Sequence, residues 1–202
     1  CIMESFLKIY LPVYLVFYIT TIFIWPSYRT FKQTGINPVT FGKSNNAHDY
    51  IGFIMKMLIA LLFIAVICFS VLGEHYKYLL PIWYLEKGEV QISGLILIHI
   101  ALVWIFIAQR QMNNSWRIGI DEKNKTDLVT GGVFKISRNP IFLGMIISVM
   151  GLFLILPNMI TFFLLLATCI IIQIQIRLEE AFLEKQHGQI YLVYKKTVRR
   201  LI

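Results

Sequence analysis

Along this chain apolar residues do not alternate with polar ones; they come in long runs broken by short polar and basic segments. Runs over residues 6–25, 51–72, 91–109, 141–156 and 159–176 approach the length that crosses a hydrocarbon layer of about 30 Å. In lipid the backbone must satisfy its own hydrogen bonds. Each run is therefore predicted to be a helix, and the fold class all-α: a polytopic membrane bundle of about five transmembrane helices. Only Pro157 and Asn158 separate the fourth and fifth runs, which predicts a tight helical hairpin. The fourth is short enough to need little tilt. The first run is followed by "WPSYRTFK" in place of a small-residue cleavage site and reads as a retained span, not a signal peptide.

Composition confirms the class: 57% of residues are hydrophobic, only 15% are charged, and mean hydropathy is +0.69, far from a soluble domain. No charged or Gly/Ser-rich linker and no internal repeat interrupts the pattern, so the 202 residues are expected to form one membrane domain.

The net charge of +8 is distributed unevenly. Arg29, Lys32 and Lys43 fall in the first loop, Arg110, Arg117, Lys123, Lys125, Lys135 and Arg138 in the third, and six more basic residues from Arg177 onward. The opposite side holds Lys8, Lys77 and Lys87. By the positive-inside rule the basic side is cytosolic, with the amino terminus outside and the carboxyl terminus inside. The charge then serves topology and attraction to anionic headgroups, and nothing calls for nucleic acid. Lys56, inside the second span, reads as a side chain snorkelling to the interface. Cys1, Cys68 and Cys169, like His48, His75, His99 and His187, are too scattered for a disulfide framework or a metal site.

Two segments of the basic side carry unusual residues. Residues 113–140, "NNSWRIGIDEKNKTDLVTGGVFKISRNP", form a polar stretch too long for a simple connector. The tail, "QIRLEEAFLEKQHGQIYLVYKKTVRRLI", continues the fifth span with no helix breaker. A helix there places Arg177 with Glu180 and Glu184 on one face, spaced for i,i+3 and i,i+4 contacts. Gly188 is expected to end it, and a short amphipathic helix with Ile190, Tyr191, Tyr194 and Val198 on its apolar side to follow. Each feature also has an architectural reading. Asn139 and Pro140 suit the N-cap and first position of a helix, Arg138 a topology anchor, Glu179 and Glu180 a solvated face, and the tyrosines an interfacial belt.

Taken in order, however, "LVTGGVFKISRNPIFLG", an apolar hairpin and "RLEEAFLEKQHGQIYLVYKKTVRR" closely resemble the isoprenylcysteine carboxyl methyltransferases and their prokaryotic relatives, a group similar to the phospholipid methyltransferases. The resemblance covers residues 113–200. It implies an S-adenosyl-L-methionine-dependent membrane methyltransferase whose cofactor-binding part lies in residues 110–202 and whose acceptor is lipidic or membrane-partitioned. The number of spans matches the compact prokaryotic members, which implies a prokaryotic inner (plasma) membrane. The cofactor-binding residues it implies are Leu128, Val129, Gly132, Phe134, Arg138, Asn139, Pro140, Phe142, Glu179, Glu180, Tyr191 and Tyr194; Arg138, Asn139, Arg177 and Glu180 are its candidates for catalysis. Asn139 stands where the prenylcysteine enzymes carry His, and Phe134 and Phe142 where they carry Tyr, so a prenylated protein is not the expected acceptor.

The chemistry of these side chains suits such a cofactor. Carboxylates and aromatic faces favour a cationic sulfonium, and Arg138 with the free N–H groups of a helix start offers donors to a carboxylate. Methyl transfer is an in-line displacement that needs alignment more than acid–base groups, so neither a catalytic triad nor a metal is expected. Two other readings stay open at this point: an NADPH-dependent reductase of the sterol reductase type, which paired glutamates disfavour, and a non-catalytic membrane scaffold.

Overall fold

The computed structural model describes residues 2–41, 47–121, 124 and 126–202, without the side chains of Glu74, His75 and Asn114. Cys1, Lys43, Lys123, Lys125 and the side chain of His75, all named above, therefore lie outside the described residues. The helices are α1 (Ile2–Ile19), α2 (Trp25–Thr34), α3 (Ala47–Val71), α4 (Gly88–Met112), α5 (Pro140–Ile155), α6 (Met159–His187) and α7 (Gln189–Thr197). No strand occurs among the described residues.

By length and composition, Ile2–Thr34, Ala47–Val71, Gly88–Met112 and Met159–His187 can each cross a membrane. Helix α5 has 16 residues, about 24 Å at the usual rise, and is the short member of the bundle. Large apolar side chains such as Ile9, Val13, Phe53, Ile64, Ile100 and Phe163 face outward and are more than half exposed. Such a surface requires hydrocarbon as its solvent. The chain is an integral membrane protein.

Helices α1 and α2 form one rod, joined by a π-helical turn at Thr20–Ile24. The cause is Pro26, which has no N–H to give the carbonyl four residues back, that of Ile22. The backbone widens so that the Trp25 N–H reaches the Thr20 carbonyl, and the side chain of Gln109 on α4 donates to the Ile22 oxygen at 2.6 Å. A polar residue in an apolar helix thus satisfies a carbonyl that a proline orphaned.

Helices α4 and α5 pack closely because glycines face each other. A Cβ on Gly94 would lie 2.6 Å from the Gly151 carbonyl oxygen, and one on Gly151 would lie 2.7 Å from the Ile98 side chain. In lipid, where apolar surface gains little by leaving solvent, such close backbone approach holds helices together. Around this pair the core comprises Leu7, Leu11, Ile22, Val66, Ile98, Ile105 and Ile155.

The α5–α6 hairpin turns at Pro157 and Asn158, as its sequence suggests. Asn158 and Thr161 form a reciprocal capping box: the Thr161 N–H donates to Asn158 Oδ1 at 2.9 Å, and the Asn158 N–H to Thr161 Oγ1 at 3.3 Å. At the other end α6 runs unbroken to His187, and Gly188, with φ of 55°, ends it. Helix α7 buries Tyr191 and Tyr194 but leaves Ile190 exposed, so the expected apolar face is narrower than the sequence suggests.

Candidate active site

The polar residues before Pro140 converge on Glu180. Arg138 donates from Nε (3.1 Å) and Nη2 (2.8 Å) to Glu180 Oε1, and Arg200 from Nε (3.0 Å) and Nη2 (2.8 Å) to Oε2. Asn139 Nδ2 also donates to Oε1, at 3.3 Å. Both carboxylate oxygens are thus taken by planar guanidinium groups, the geometry that makes such pairs strong. Arg138 Nη1 donates in addition to the carbonyls of Lys195 and Val198, and the Arg138 N–H to the Arg199 carbonyl at 3.0 Å. The clasp ties the start of α5, the far end of α6 and the tail after α7 into one unit.

Local chain geometry sets this up. Gly132, with φ of 59°, turns the backbone against Gln111, whose Oε1 accepts from the Val133 N–H at 2.9 Å. The turn at Gly132–Lys135 directs Phe134 inward. Fully buried Ser137 accepts the Asn139 N–H at 3.1 Å. Asn139 holds the N-cap position of α5, but its side chain makes no cap bond. Instead it reaches across to Glu180 and to the Arg200 carbonyl, at 3.0 Å. The expected side-chain cap is not formed because the Asn139 amide is turned away from the helix start by these two bonds.

Beside the clasp lies a cavity of about 750 Å³. Its walls are Phe134, Arg138, Asn139, Pro140, Ile141, Phe142 and Met145 on one side, and on another Met112 at the end of α4 with Phe41, Trp116, Arg117, Ile118 and Gly119 from the first and third loops. Phe23 and Met55 close the membrane side, and Gln175, Glu179 and Leu183 of α6 supply the remaining wall. The two loops are held together by backbone bonds from Thr40 N–H to the Ile118 carbonyl (3.1 Å) and from Ile118 N–H to the Pro38 carbonyl (2.9 Å). Gln175, almost wholly buried, donates through Nε2 to Glu179 Oε1 at 2.8 Å, while its own Oε1 has no partner. An unpaired buried acceptor in a cavity wall is a place for a ligand N–H or O–H.

A second space of about 820 Å³, lined almost entirely by hydrocarbon, lies among α1, α3, α5 and α6, with Tyr14, Tyr18, Leu58, Leu62, Leu152 and Ile172 in its wall. Phe23, Met55 and Met145 line both spaces. The cavity beside the clasp and the apolar cleft therefore meet across three side chains.

The sequence-derived site residues sort into groups. Phe134, Arg138, Asn139, Pro140, Phe142 and Glu179 line the cavity. Glu180 stands behind Arg138, buried in the clasp. Tyr191 and Tyr194 are buried supports. The Tyr194 hydroxyl donates to the Phe134 carbonyl at 2.6 Å, and burial pushes that hydroxyl up to about 12. Burial, reinforced by the Glu180 carboxylate, raises the Tyr191 hydroxyl as well. Val129 packs behind the wall against Ala108, Val133 and Phe134; Leu128 and Gly132 are not in the cavity lining. Arg177 is exposed and turned back toward Gln173, donating to its carbonyl at 2.7 Å and its Oε1 at 3.0 Å. The contacts expected from Arg177 to Glu180 and Glu184 are not formed, because Glu180 is taken by Arg138 and Arg200, and Glu184 by Lys195 at 3.0 Å.

Gln175, Trp116, Phe41 and Met55 were not among the expected site residues. Gln175 had a signal, a polar residue inside an apolar span; the others reach the cavity only through tertiary folding.

A model of the phospholipid methyltransferase family matches residues 90–190, the segment that supplies Arg138, Asn139 and Glu180 of the clasp and the whole of α5 and α6. The chain belongs to that family. Membership makes it a membrane methyltransferase and implies S-adenosylmethionine as methyl donor, in line with the resemblance drawn from the "SRNP" and paired-glutamate segments. Comparison with curated proteins returns no match.

Proposed function

We propose that this methyltransferase moves a methyl group from S-adenosylmethionine to a lipidic or membrane-partitioned acceptor, with the donor in the cavity beside the clasp and the acceptor's apolar chain in the cleft. The observation that carries the reading is the junction of the two spaces at Phe23, Met55 and Met145. A ligand in the cavity and a hydrocarbon chain in the cleft would meet there.

The residues fit the donor. Glu179 and the free Oε1 of Gln175 accept hydrogen bonds and favour positive charge, and Phe41, Phe134 and Phe142 add aromatic faces. Arg138 lines the cavity with its side chain held by four bonds within the protein, and so presents a fixed positive charge to a ligand carboxylate. Bound S-adenosylmethionine supplies an electrophilic methyl group on a cationic sulfur. The protein's part is alignment and exclusion of water: the clasp fixes Arg138 and Asn139, and the loops carrying Phe41 and Trp116 cover the cavity. The basic end of the bundle is assigned to the cytosol, where the positive-inside rule puts it. An NADPH-dependent reductase fits less well, because the arginines of the cavity wall are already paired, Arg138 with Glu180 and Arg117 with Asp121, and Glu179 adds a carboxylate that phosphates would face.

The test is to incubate purified protein with methyl-labelled S-adenosylmethionine and a total lipid extract. Label should enter an organic-soluble product with wild type and fall with Glu179→Gln; label only in water-soluble material would overturn the lipidic acceptor.

A further inference from the structure

A shallow groove, sharing Trp116 with the cavity beside the clasp, runs between α2 and the end of α4. Two guanidinium groups border it. Arg29 Nη2 donates to Asn113 Oδ1 at 3.0 Å, and the exposed Arg110 rests 5.8 Å from the centroid of the Phe106 ring. Among the described residues no carboxylate pairs with either arginine. Two buried polar groups in the same wall are unpartnered: Gln109, 6% exposed, whose Oε1 has no hydrogen bond, and Trp116, 4% exposed, whose indole N–H has none. The Gln109 amide cannot turn to satisfy its oxygen, because its nitrogen is held by the Ile22 carbonyl freed at the π turn. An unpaired buried acceptor costs stability unless something fills the site.

We infer that this groove binds the headgroup of an anionic phospholipid: a phosphodiester facing Arg29 and Arg110, with a headgroup hydroxyl for the Gln109 oxygen. Its place favours a membrane lipid over a free ion. The groove lies where apolar helices give way to basic loops, and Trp25, which lines it, is more than half exposed, with the equally exposed Tyr28 ring beside it, the kind of pair that sits among headgroups. Guanidinium pairs suit phosphate by charge and shape. A phosphocholine headgroup fits poorly, since its trimethylammonium offers no hydrogen-bond donor and is repelled by the arginines. The same lipid would brace the π turn against α4. The inference stands on the groove alone and does not depend on the identity of the methyl acceptor.

The experiment uses the full chain in maltoside micelles and follows thermal stabilisation by dioctanoyl phosphatidylglycerol, dioctanoyl phosphatidylcholine and inorganic phosphate. Phosphatidylglycerol should stabilise saturably and bind at least severalfold more tightly than phosphatidylcholine, and inorganic phosphate at the same concentration should do little. Arg29→Gln combined with Arg110→Gln should weaken phosphatidylglycerol binding by roughly tenfold or more while S-adenosylhomocysteine affinity stays at wild type. Should the double variant fold poorly, Arg110→Gln alone serves, since that side chain is exposed and rests on the Phe106 ring; a loss of about threefold or more is expected. Equal binding of the two lipids, equal stabilisation by inorganic phosphate, or unchanged phosphatidylglycerol affinity in the variants would each overturn the inference.

Discussion

Glu180→Gln keeps the shape of the clasp and removes its charge. The carboxylate takes four guanidinium N–H bonds, two on each oxygen, within 2.8–3.1 Å. The amide retains one oxygen and turns an NH₂ toward the other arginine, donor against donor. Charge-assisted bonds are worth about 1.5–3 kcal/mol each, but Arg200 has 36% of its side chain exposed while Arg138 has 7%. The amide oxygen will therefore stay with Arg138, and Arg200 will turn to water. The expected loss is about 3 kcal/mol, at the low end for breaking one side of a buried pair. For a chain of this length that is a fall of roughly 6–12 °C in melting temperature. A thiol-reactive dye that reports exposure of Cys68 and Cys169 will read it. Because Arg138 and Asn139 line the cavity, affinity for S-adenosylhomocysteine should fall at least about tenfold, the equivalent of about 1.4 kcal/mol. Glu184→Gln is the control. Its ion pair with Lys195 is about two-fifths exposed on each side, so its loss should cost less than about 1 kcal/mol. A Glu180→Gln protein with wild-type melting temperature and affinity would refute the clasp as the element that orders the site.

Other perturbations separate architecture from chemistry. Arg138→Lys preserves the charge that topology needs but cannot bridge Glu180, Lys195 and Val198 together, so it should insert normally and lose most turnover; full activity would return Arg138 to a topology anchor. Asn139→His should leave S-adenosylhomocysteine binding largely intact, whereas Asn139→Leu loses its bonds to Glu180 and the Arg200 carbonyl and should weaken it; equal affinity in both would show that the amide contributes nothing. Gly94→Ala places a methyl 2.6 Å from the Gly151 carbonyl oxygen and should cost about 1–3 kcal/mol, read as a lower melting temperature; no change would mean that α4 and α5 separate freely. A single cysteine at Glu184 should be shielded from an impermeant reagent in intact cells and one at Lys87 labelled; the reverse would invert the proposed orientation.

How much of this was legible beforehand depends on how local the cause is. Hydrocarbon runs specify helices because lipid leaves the backbone no other choice, and the Pro157–Asn158 turn and the Gly188 stop act within a few residues of themselves. Arg138, Asn139 and Glu180 could be singled out by type and order, but not their mutual bonds, since partners 41 and 42 residues apart meet only through tertiary packing. Arg177 was misassigned for the same reason: helical spacing permits its pairing with Glu180, but two arginines from elsewhere compete for that carboxylate and win. The π turn has a local cause in Pro26, whereas its remedy, Gln109, lies in another helix. The cavity walls from the first half of the chain, Phe23, Phe41 and Met55, are ordinary apolar residues in sequence and acquire a role only from where the bundle puts them.

The measurement closest to the central claim is calorimetric titration of the purified protein with S-adenosylhomocysteine, repeated with NADPH and with the Glu179→Gln variant. Glu179 lines the cavity and is not bonded to the clasp arginines, so its substitution tests the ligand site without dismantling the fold. The account predicts saturable binding of S-adenosylhomocysteine to wild type, a loss of about tenfold or more in the variant, and no binding of NADPH. Absence of S-adenosylhomocysteine binding to folded wild-type protein, or equal binding to the variant, would contradict it.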